Sequence, residues 1–521
     1  MEKILILDFG SQTTQLIGRR IRELGYFSEI IPGDSRLTKD TTLKDVKGII
    51  FSGSPFSVYN SRAPRPDKLV YKSSIPILGI CYGLQRLITD FGGSVASIGK
   101  KEYGLSRILY THSNTSHNGL FTGLDEGFNS WMSHGDALTN IPSVFKVTAV
   151  SEHKHPAAVE WKDRKYFGIQ FHPEVTHCEN GDKILDNFAS SVCGLKREWN
   201  VDLYYTRIYN EIRKKAANKN VLLLVSGGVD STVVAAMLLK TLNPSNIFLM
   251  YIDTGLMRKN ETEEVSGLLK GLGAKNLYII DASDKFYGAL KGVTDPEEKR
   301  KIIGDLFVSI QSEKTSKLGI NNFLLAQGTL YTDMIESGKG VGNKAQVIKS
   351  HHNVRAPLIE EKRHKGLLIE PLSILYKDEV RNLGKKLGLS ADVIYRHPFP
   401  GPGLAVRILG EVTKEKCDIL READYIFIDE LKKRKLYRDI WQAFAVLLPV
   451  HSVGVAGDIR KYGYVLALRA IISKDGMTAS VYPFKSDDIL DISVKITNNI
   501  QEIGRVVYDI SSKPPATIEW E

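Results

Sequence analysis

Two short stretches early in the chain carry side chains suited to covalent chemistry. Gly79-Ile80-Cys81-Tyr82-Gly83 follows an apolar run and precedes an apolar-patterned segment, Leu84–Asp90, which places the cysteine on a tight strand-to-helix turn. There the helix N-terminus can stabilise a thiolate, and the backbone N–H beyond the sulfur can help hold an oxyanion. The flanking glycines are expected to let the backbone turn and a substrate approach. Further along, Phe171-His172-Pro173-Glu174 follows a second apolar run. A histidine and a glutamate two residues apart supply a base and a carboxylate to orient it. A lone cysteine or histidine is more often structural. Two strand ends bearing complementary groups read instead as nucleophile, base and orienter.

A different chemistry is written in Ser226-Gly227-Gly228-Val229-Asp230-Ser231-Thr232. No Gly-Lys-Ser/Thr follows, so it is not a Walker A loop. Its physics is related: two glycines let successive N–H groups face an anion, and the helix dipole adds attraction. The hydroxyls can bond phosphate oxygens, and Asp230 can hold Mg²⁺.

These motifs need elements to position them. Strands are expected at Ile4–Leu7, Gly48–Phe51, Ile77–Ile80 and Phe167–Phe171, with helical segments between them. Continuous apolar runs of this kind favour a parallel or mixed sheet buried on both faces. The polar stretch 196–219 reads as a connecting helix. Beyond it, Val221–Val225, a helix over Thr232–Lys240 and a strand over Ile247–Ile252 ending at Asp253 form a βαβ unit. Such a unit implies a right-handed crossover, a parallel sheet and a ligand site at the carboxyl ends of its strands. His397-Pro398-Phe399-Pro400-Gly401-Pro402-Gly403 marks a fixed loop or boundary. After it, strands at Tyr464–Ile472 and Thr478–Val481 and a helix from about Ile489 suggest a smaller α+β region. The expected domains are therefore 1–195, 196–396 and 397–521, which agrees with 521 residues at roughly 100–200 per domain.

Composition narrows the class further. Gly (44) and Pro (19) are too few for a collagenous or low-complexity chain. No apolar run approaches the roughly 18 residues of a membrane span, and the first residues lack the pattern of a signal peptide. A cytoplasmic enzyme without membrane contact is expected. Four cysteines (81, 178, 193 and 417) form no Cys-x-x-Cys pair, which excludes a disulfide framework and structural zinc. Net charge is +10, of which residues 1–195 contribute +2 (22 basic, 20 acidic). The remaining excess suits phosphorylated small molecules. No dense basic run argues for nucleic acid.

Gly-Ile-Cys-Tyr-Gly with a later Phe-His-Pro-Glu resembles the triad (class I) glutamine amidotransferases. The resemblance implies that Cys81 attacks the glutamine side-chain amide, His172 shuttles the proton and Glu174 orients His172. It implies an oxyanion held by the N–H groups of Gly53 and Tyr82, and glutamine held by Gln85 and Ser133-His134-Gly135-Asp136. Ser-Gly-Gly-x-Asp-Ser resembles the pyrophosphate-releasing loop of ATP pyrophosphatases, shared by argininosuccinate, asparagine and NAD synthetases and tRNA-thiolating enzymes.

The order of the two modules, Asp295–Lys301, Ile348–Val354, Arg396–Gly403, Trp441–Phe444 and Lys513–Glu521 together resemble the glutamine-hydrolysing GMP synthases. What that implies is an α/β protein: an amidotransferase domain, a parallel-sheet pyrophosphatase domain and a smaller α+β domain through which a homodimer forms. ATP and Mg²⁺ would be held by Ser226 to Thr232, Asp253, Lys349 and Asp333. Xanthosine 5′-monophosphate (XMP) would be held by Arg300, Gln442, Lys513, Ile518 and Glu519.

Some positions depart from the family pattern: Ser54 in Ser52-Gly53-Ser54-Pro55, Thr254, Thr332 and Arg355-Ala356. Ser54 is expected to disturb the oxyanion loop if that loop needs positive φ. The pair His351-His352 lacks a third ligand and reads as part of a phosphate-handling lid, and Trp441 and Phe444 read as core. Two other readings compete, an RNA-modifying enzyme of the thiolating type and a catalytically impaired nucleotide sensor. The first would need a sulfur-carrying cysteine pair near the loop, and residues 196–396 contain no cysteine.

Overall fold

The computed structural model describes residues 1–111, 119–124, 127–320, 323–337, 357–456, 459–473 and 478–521. The chain divides into two compact units: residues 1–207 with 331–354, and residues 208–330 with 355–521. Among the described residues no helix is long and apolar enough to cross a membrane.

The first unit is built on a nine-stranded sheet. Its strands are β1 (Lys3–Asp8), β2 (Ser28–Pro32), β3 (Val46–Phe51), β4 (Ile77–Ile80), β5 (Ser94–Tyr110), β6 (Phe128–Asn140), β7 (Lys146–Ser151), β8 (Pro156–Trp161) and β9 (Tyr166–Ile169). Their spatial order is β2-β1-β3-β4-β9-β8-β7-β5-β6. The first five run parallel and the rest pair antiparallel. The parallel strands β1, β3, β4 and β9 are the apolar runs legible in the sequence, because both of their faces are covered, whereas β2, at the sheet edge, is not among them. Ile4, Leu5, Ile6, Ile49, Ile50, Phe51, Ile77, Leu78 and Ile80 are all fully buried.

The second unit carries two sheets. The first contains β10 (Val221–Leu224), β11 (Ile247–Asp253), β12 (Asn276–Asp281), β13 (Leu324–Ala326) and β14 (Leu368–Ile369), in the order β12-β11-β10-β13-β14. All of its pairs are parallel. The second contains β15 (Gln442–Ala456), β16 (Ile459–Ile472), β17 (Ser480–Val481) and β18 (Ile503–Tyr508), with β15 antiparallel to β16. One apolar cluster runs through both sheets, from Leu222 to Ile503. The Pro/Gly-rich stretch after His397 is fixed within this unit. The His397 ring stacks on Tyr437 at 3.8 Å and accepts the Ala443 N–H at Nδ1. Burial pushes its pKa down to about 4, so the ring stays neutral.

The turn after β4 differs from its expected build. Gly79 and Gly83 do not supply the left-handed conformation; Cys81 takes it, at φ 53° and ψ −108°. The glycines instead allow close approach. A Cβ on Gly83 would lie 2.3 Å from the Phe51 carbonyl oxygen, and one on Gly79 would lie 2.6 Å from the Gly83 carbonyl. Gly83→Ala is therefore expected to push the helix off β3, at a cost of about 1–3 kcal/mol. The loss should appear as a lower denaturant midpoint of the first unit, measured on the purified variant beside the parent protein.

Candidate functional site

Three parallel strands of the first unit, β3, β4 and β9, end beside one another, and Gly53, Cys81 and His172 follow their carboxyl ends. Cys81 follows β4, and its N–H donates to the Ile169 carbonyl of β9 at 2.8 Å. It precedes the helix Tyr82–Asp90, whose first N–H groups have no partner within the helix. His172 lies just beyond β9, and its N–H donates to the Trp131 carbonyl of β6 at 3.1 Å. His172 Nδ1 is 2.7 Å from Glu174 Oε1, and both residues are buried. Burial would push the imidazole pKa down. The Glu174 charge and its hydrogen bond, together with the nearby Cys81 sulfur, outweigh it and hold the value well above the ordinary histidine range. A proton leaving the Cys81 thiol thus finds a base prepared to keep it.

The expected pocket residues gather around this centre. The backbone of Gly53, at the end of β3, lies close enough that a Cβ there would come within 3.5 Å of His172 Cε1. Neither Gly53 nor Ser54 has a positive φ. The loop therefore places no demand that serine cannot meet. Tyr82 is buried, and its hydroxyl donates to the Pro64 carbonyl at 2.7 Å. Gln85 donates from Nε2 to the Asp136 carbonyl at 2.9 Å. The Asp136 carboxylate accepts from the Ser57 hydroxyl at 2.8 Å. The Cys81 thiol faces the Ser133 carbonyl at 3.8 Å. Ser133, His134, Gly135 and Asp136 all lie on β6, opposite β5.

Glu102 of β5 escaped the sequence reading. Its carboxylate oxygen lies 2.9 Å from His134 Nε2, both side chains being buried, although the two atoms are not aligned as a hydrogen bond. Ser151 donates to the other carboxylate oxygen at 2.7 Å. Burial outweighs the Glu102 charge and lowers the His134 pKa. A charge between a lysine and a tyrosine in the sequence gives no hint of burial.

In the second unit, β10 runs into the loop Ser226 to Gly228 and then the helix Val229–Thr241. Gly227 takes φ +80°, and a Cβ there would lie 2.8 Å from Val265 Cγ2. The Ser231 hydroxyl accepts the Ser226 N–H, and the Thr232 hydroxyl donates to the Gly228 carbonyl. Asp230 stands in the first turn of the helix. Both of its carboxylate oxygens accept from Lys377 Nζ, at 2.7 and 2.6 Å. Lys377 is a cation that no local motif announced. Arg396 Nη1 reaches the Gly227 carbonyl at 3.4 Å. Asp253, at the end of β11, accepts from the Gly255 N–H and the Thr262 hydroxyl. It borders a cleft also lined by Arg258, Lys259, Lys414 and Arg421.

Asp230 belongs to the second unit and Asp333 to the first. Among the described residues no group of three or more His, Cys, Asp or Glu side chains is placed to hold a metal. Lys349, His351, His352, Arg355 and Ala356 lie outside the described residues.

The C-terminal segment is tied down by buried cations. Arg407, fully buried, donates to both carboxylate oxygens of Glu519, at 3.1 and 2.9 Å. Gln442 Nε2 donates to Glu519 Oε1 at 2.7 Å. Arg469, also fully buried, donates to the Ile518 and Thr517 carbonyls at 2.8 Å each and to Asp509 at 2.7 Å. Arg300 donates to the Glu521 carbonyl. Ile518 packs against Phe444, Val446 and Ala467, and Lys513 bridges Ala479 in an antiparallel contact. The structure thus brings Arg300, Gln442, Ile518 and Glu519 into one contact network, held by arginines that sequence reasoning did not select.

Fold and sites together define a class I glutamine amidotransferase joined to an ATP pyrophosphatase-type domain. Residues 5–192 match the family described as glutamine amidotransferase class-I, 202–300 match NAD synthase, and 429–520 match the GMP synthase C-terminal domain. The chain is 48% identical to the glutamine-hydrolysing GMP synthase of Carboxydothermus hydrogenoformans, covering 100% of this chain and 99% of the relative. It is 49% identical to the enzymes of that name from Campylobacter hominis, over 99% of each chain, and from Lactobacillus gasseri, over 100% of this chain and 98% of the relative. The chain belongs to the glutamine-hydrolysing GMP synthase family.

Removing Glu519 would leave Arg407 buried with only Asp424, 3.9 Å away, as a carboxylate neighbour. Breaking a buried pair costs roughly 3–5 kcal/mol, and Asp424 should hold the loss toward the lower end. Glu519→Ala is expected to lower the denaturant midpoint of the second unit, followed by tryptophan fluorescence at Trp441 and Trp520.

Proposed function

We propose that the chain makes GMP from XMP, ATP and glutamine, with Cys81, His172 and Glu174 releasing ammonia and Ser226 to Thr232 holding ATP. The observation that carries the glutaminase half is the cysteine in a left-handed turn at one strand end, beside the strand end whose histidine is paired with a buried glutamate. Cys81 sulfur attacks the glutamine amide carbon, and the oxyanion is met by the N–H groups of Gly53 and Tyr82. His172 passes the proton to the leaving ammonia, and water then cleaves the thioester to glutamate. Gln85 and Ser133 to Asp136 shape the glutamine pocket.

In the second unit, the XMP C2 oxygen attacks the α-phosphate of ATP. Pyrophosphate leaves, and ammonia then displaces AMP from C2. The loop N–H groups and the helix N-terminus act by positioning and by neutralising charge. Asp253 completes the nucleotide site, and Lys349 and Asp333 are proposed to join at the phosphates or metal. Mg²⁺ is usually held by one or two carboxylates, with phosphates and water filling the remaining positions. Asp230 beside the loop fits that demand, and Lys377 balances its charge.

The proposed division of labour is 1–195 for glutamine, 196–396 for ATP and 397–521 for XMP and self-association. Exposed Val450, Val453, Val455 and Tyr462 on the β15–β16 pair support a homodimer through this third part. Phosphorylated substrates, which do not cross membranes unaided, suit a cytoplasmic enzyme, and nucleic acid has no place in this reading. Relatives matching over the full length give no support to the RNA-modifying or sensor alternatives.

XMP-dependent pyrophosphate release is the direct test of this reading. Cys81→Ala should abolish glutamine-driven GMP formation and leave ammonium-driven formation intact; persistence of glutamine use would remove the assignment. Lys513→Ala should weaken XMP binding by about 1–3 kcal/mol, the scale of one charge-assisted contact, with glutamine hydrolysis preserved. An unchanged XMP dissociation constant would return the tail to a purely structural role.

A further inference from the structure

Gln170 stands between β9 and His172, and its side chain is buried to 1% exposure. Its amide touches two functional groups. Oε1 accepts from Gln85 Nε2 at 3.3 Å, and Nε2 donates to Cys81 Sγ at 3.6 Å. The orientation of this amide follows from chemistry alone. The Asp136 carbonyl can only accept, so Gln85 must turn Nε2 toward it, at 2.9 Å. The same Gln85 nitrogen then faces Gln170, where only an oxygen can meet it. Gln170 is left with its N–H groups aimed at the sulfur. The chain is anchored at its far end by His134, whose Nδ1 lies 3.0 Å from the same Asp136 carbonyl. His134 in turn sits against Glu102.

We propose that Gln170 is a positioning residue for glutamine hydrolysis. It fixes the Gln85 amide and presents an N–H donor to the Cys81 sulfur as the thiol proton moves to His172. A donor at that place steadies sulfur carrying negative charge. With both Gln85 N–H groups engaged, by Asp136 and by Gln170, the Gln85 oxygen remains to accept from the substrate's amide. A glutamate at position 170 would fill the same space and still accept from Gln85, yet would set a carboxylate oxygen against the thiolate. The inference rests on Cys81 being the nucleophile.

The test compares Gln170→Glu and Gln170→Met with Cys81→Ala in the full-length enzyme. Gln170→Glu should lower kcat for glutamine-driven GMP formation about 10- to 100-fold, the range that loss of a charge-assisted hydrogen bond supports. KM for glutamine should change by less than about threefold. Alkylation of Cys81 by iodoacetamide at neutral pH should slow in parallel, a readout that packing alone would not move. Gln170→Met keeps the bulk without donor or charge and should lose less, about tenfold. Ammonium-driven turnover should match the parent enzyme in both.

A folded Gln170→Glu enzyme with parental kcat and alkylation rate would overturn the proposal, as would a loss carried by KM alone. Unfolding of the first unit in both variants would also overturn it, by making the residue a packing element. Glutamine use surviving in Cys81→Ala would instead remove the nucleophile assignment beneath it, so the two failures are distinguishable.

Discussion

The first unit depends on one backbone conformation that an L-residue resists. Cys81 is held at φ 53° and ψ −108°, a region costing of order 1–3 kcal/mol when surrounding structure must impose it. Several contacts impose it. Its N–H is fixed to Ile169 of β9, and the helix after it is pressed on β3 so closely that Gly83 tolerates no Cβ. Buried Leu84, Leu87 and Ile88 lock that helix to the sheet. A free coil would relax the cysteine into an ordinary conformation and turn its sulfur away. The parallel sheet therefore serves the chemistry twice, by supplying the strand ends and by supplying the rigidity that keeps one residue strained.

Much of this was legible in the sequence because the informative residues are local. Gly79 to Gly83, Phe171 to Glu174 and Ser226 to Thr232 are contiguous, and each follows an apolar run whose burial on both faces makes it recognisable. What stayed hidden is what long-range pairing alone decides. The β5–β6 pair, 17 and 13 residues long, carries Ser133 to Asp136 to the thiol. Its sequence is polar enough to pass for loop. Glu102 meets His134 only because these strands register Glu102 opposite His134. Lys377 reaches Asp230 across 147 residues of chain, a distance no motif spans.

The C-terminal segment illustrates the same limit from the other direction. The family resemblance implied a nucleotide contact for Lys513, Ile518 and Glu519. The docking agents themselves, Arg407 and Arg469, lie far back in the sequence and look like ordinary surface cations. Both are fully buried, which is tolerable only because each is met by a carboxylate and, for Arg469, by three backbone carbonyls. The tail thus completes their coordination, and they order the tail. Lys299 adds a third case, fully buried and bonded to the Ala405 and Ile408 carbonyls and to Glu521.

The two reactive loops make a physical pair. Each follows a parallel strand and opens a helix, and each places a residue at positive φ, but they assign it oppositely. After β4 the cysteine takes the left-handed conformation, which throws its side chain into the pocket while the glycines flanking it keep the backbone close-packed. After β10 it is Gly227 that takes φ +80°, which needs no side chain. A nucleophile must be presented as a side chain, so an L-residue bears the strain. A phosphate is best met by backbone donors, so glycine takes the turn and no strain is required. In the proposed function the same strand-to-helix junction serves covalent attack in one unit and anion binding in the other, and the residue given the positive φ distinguishes them.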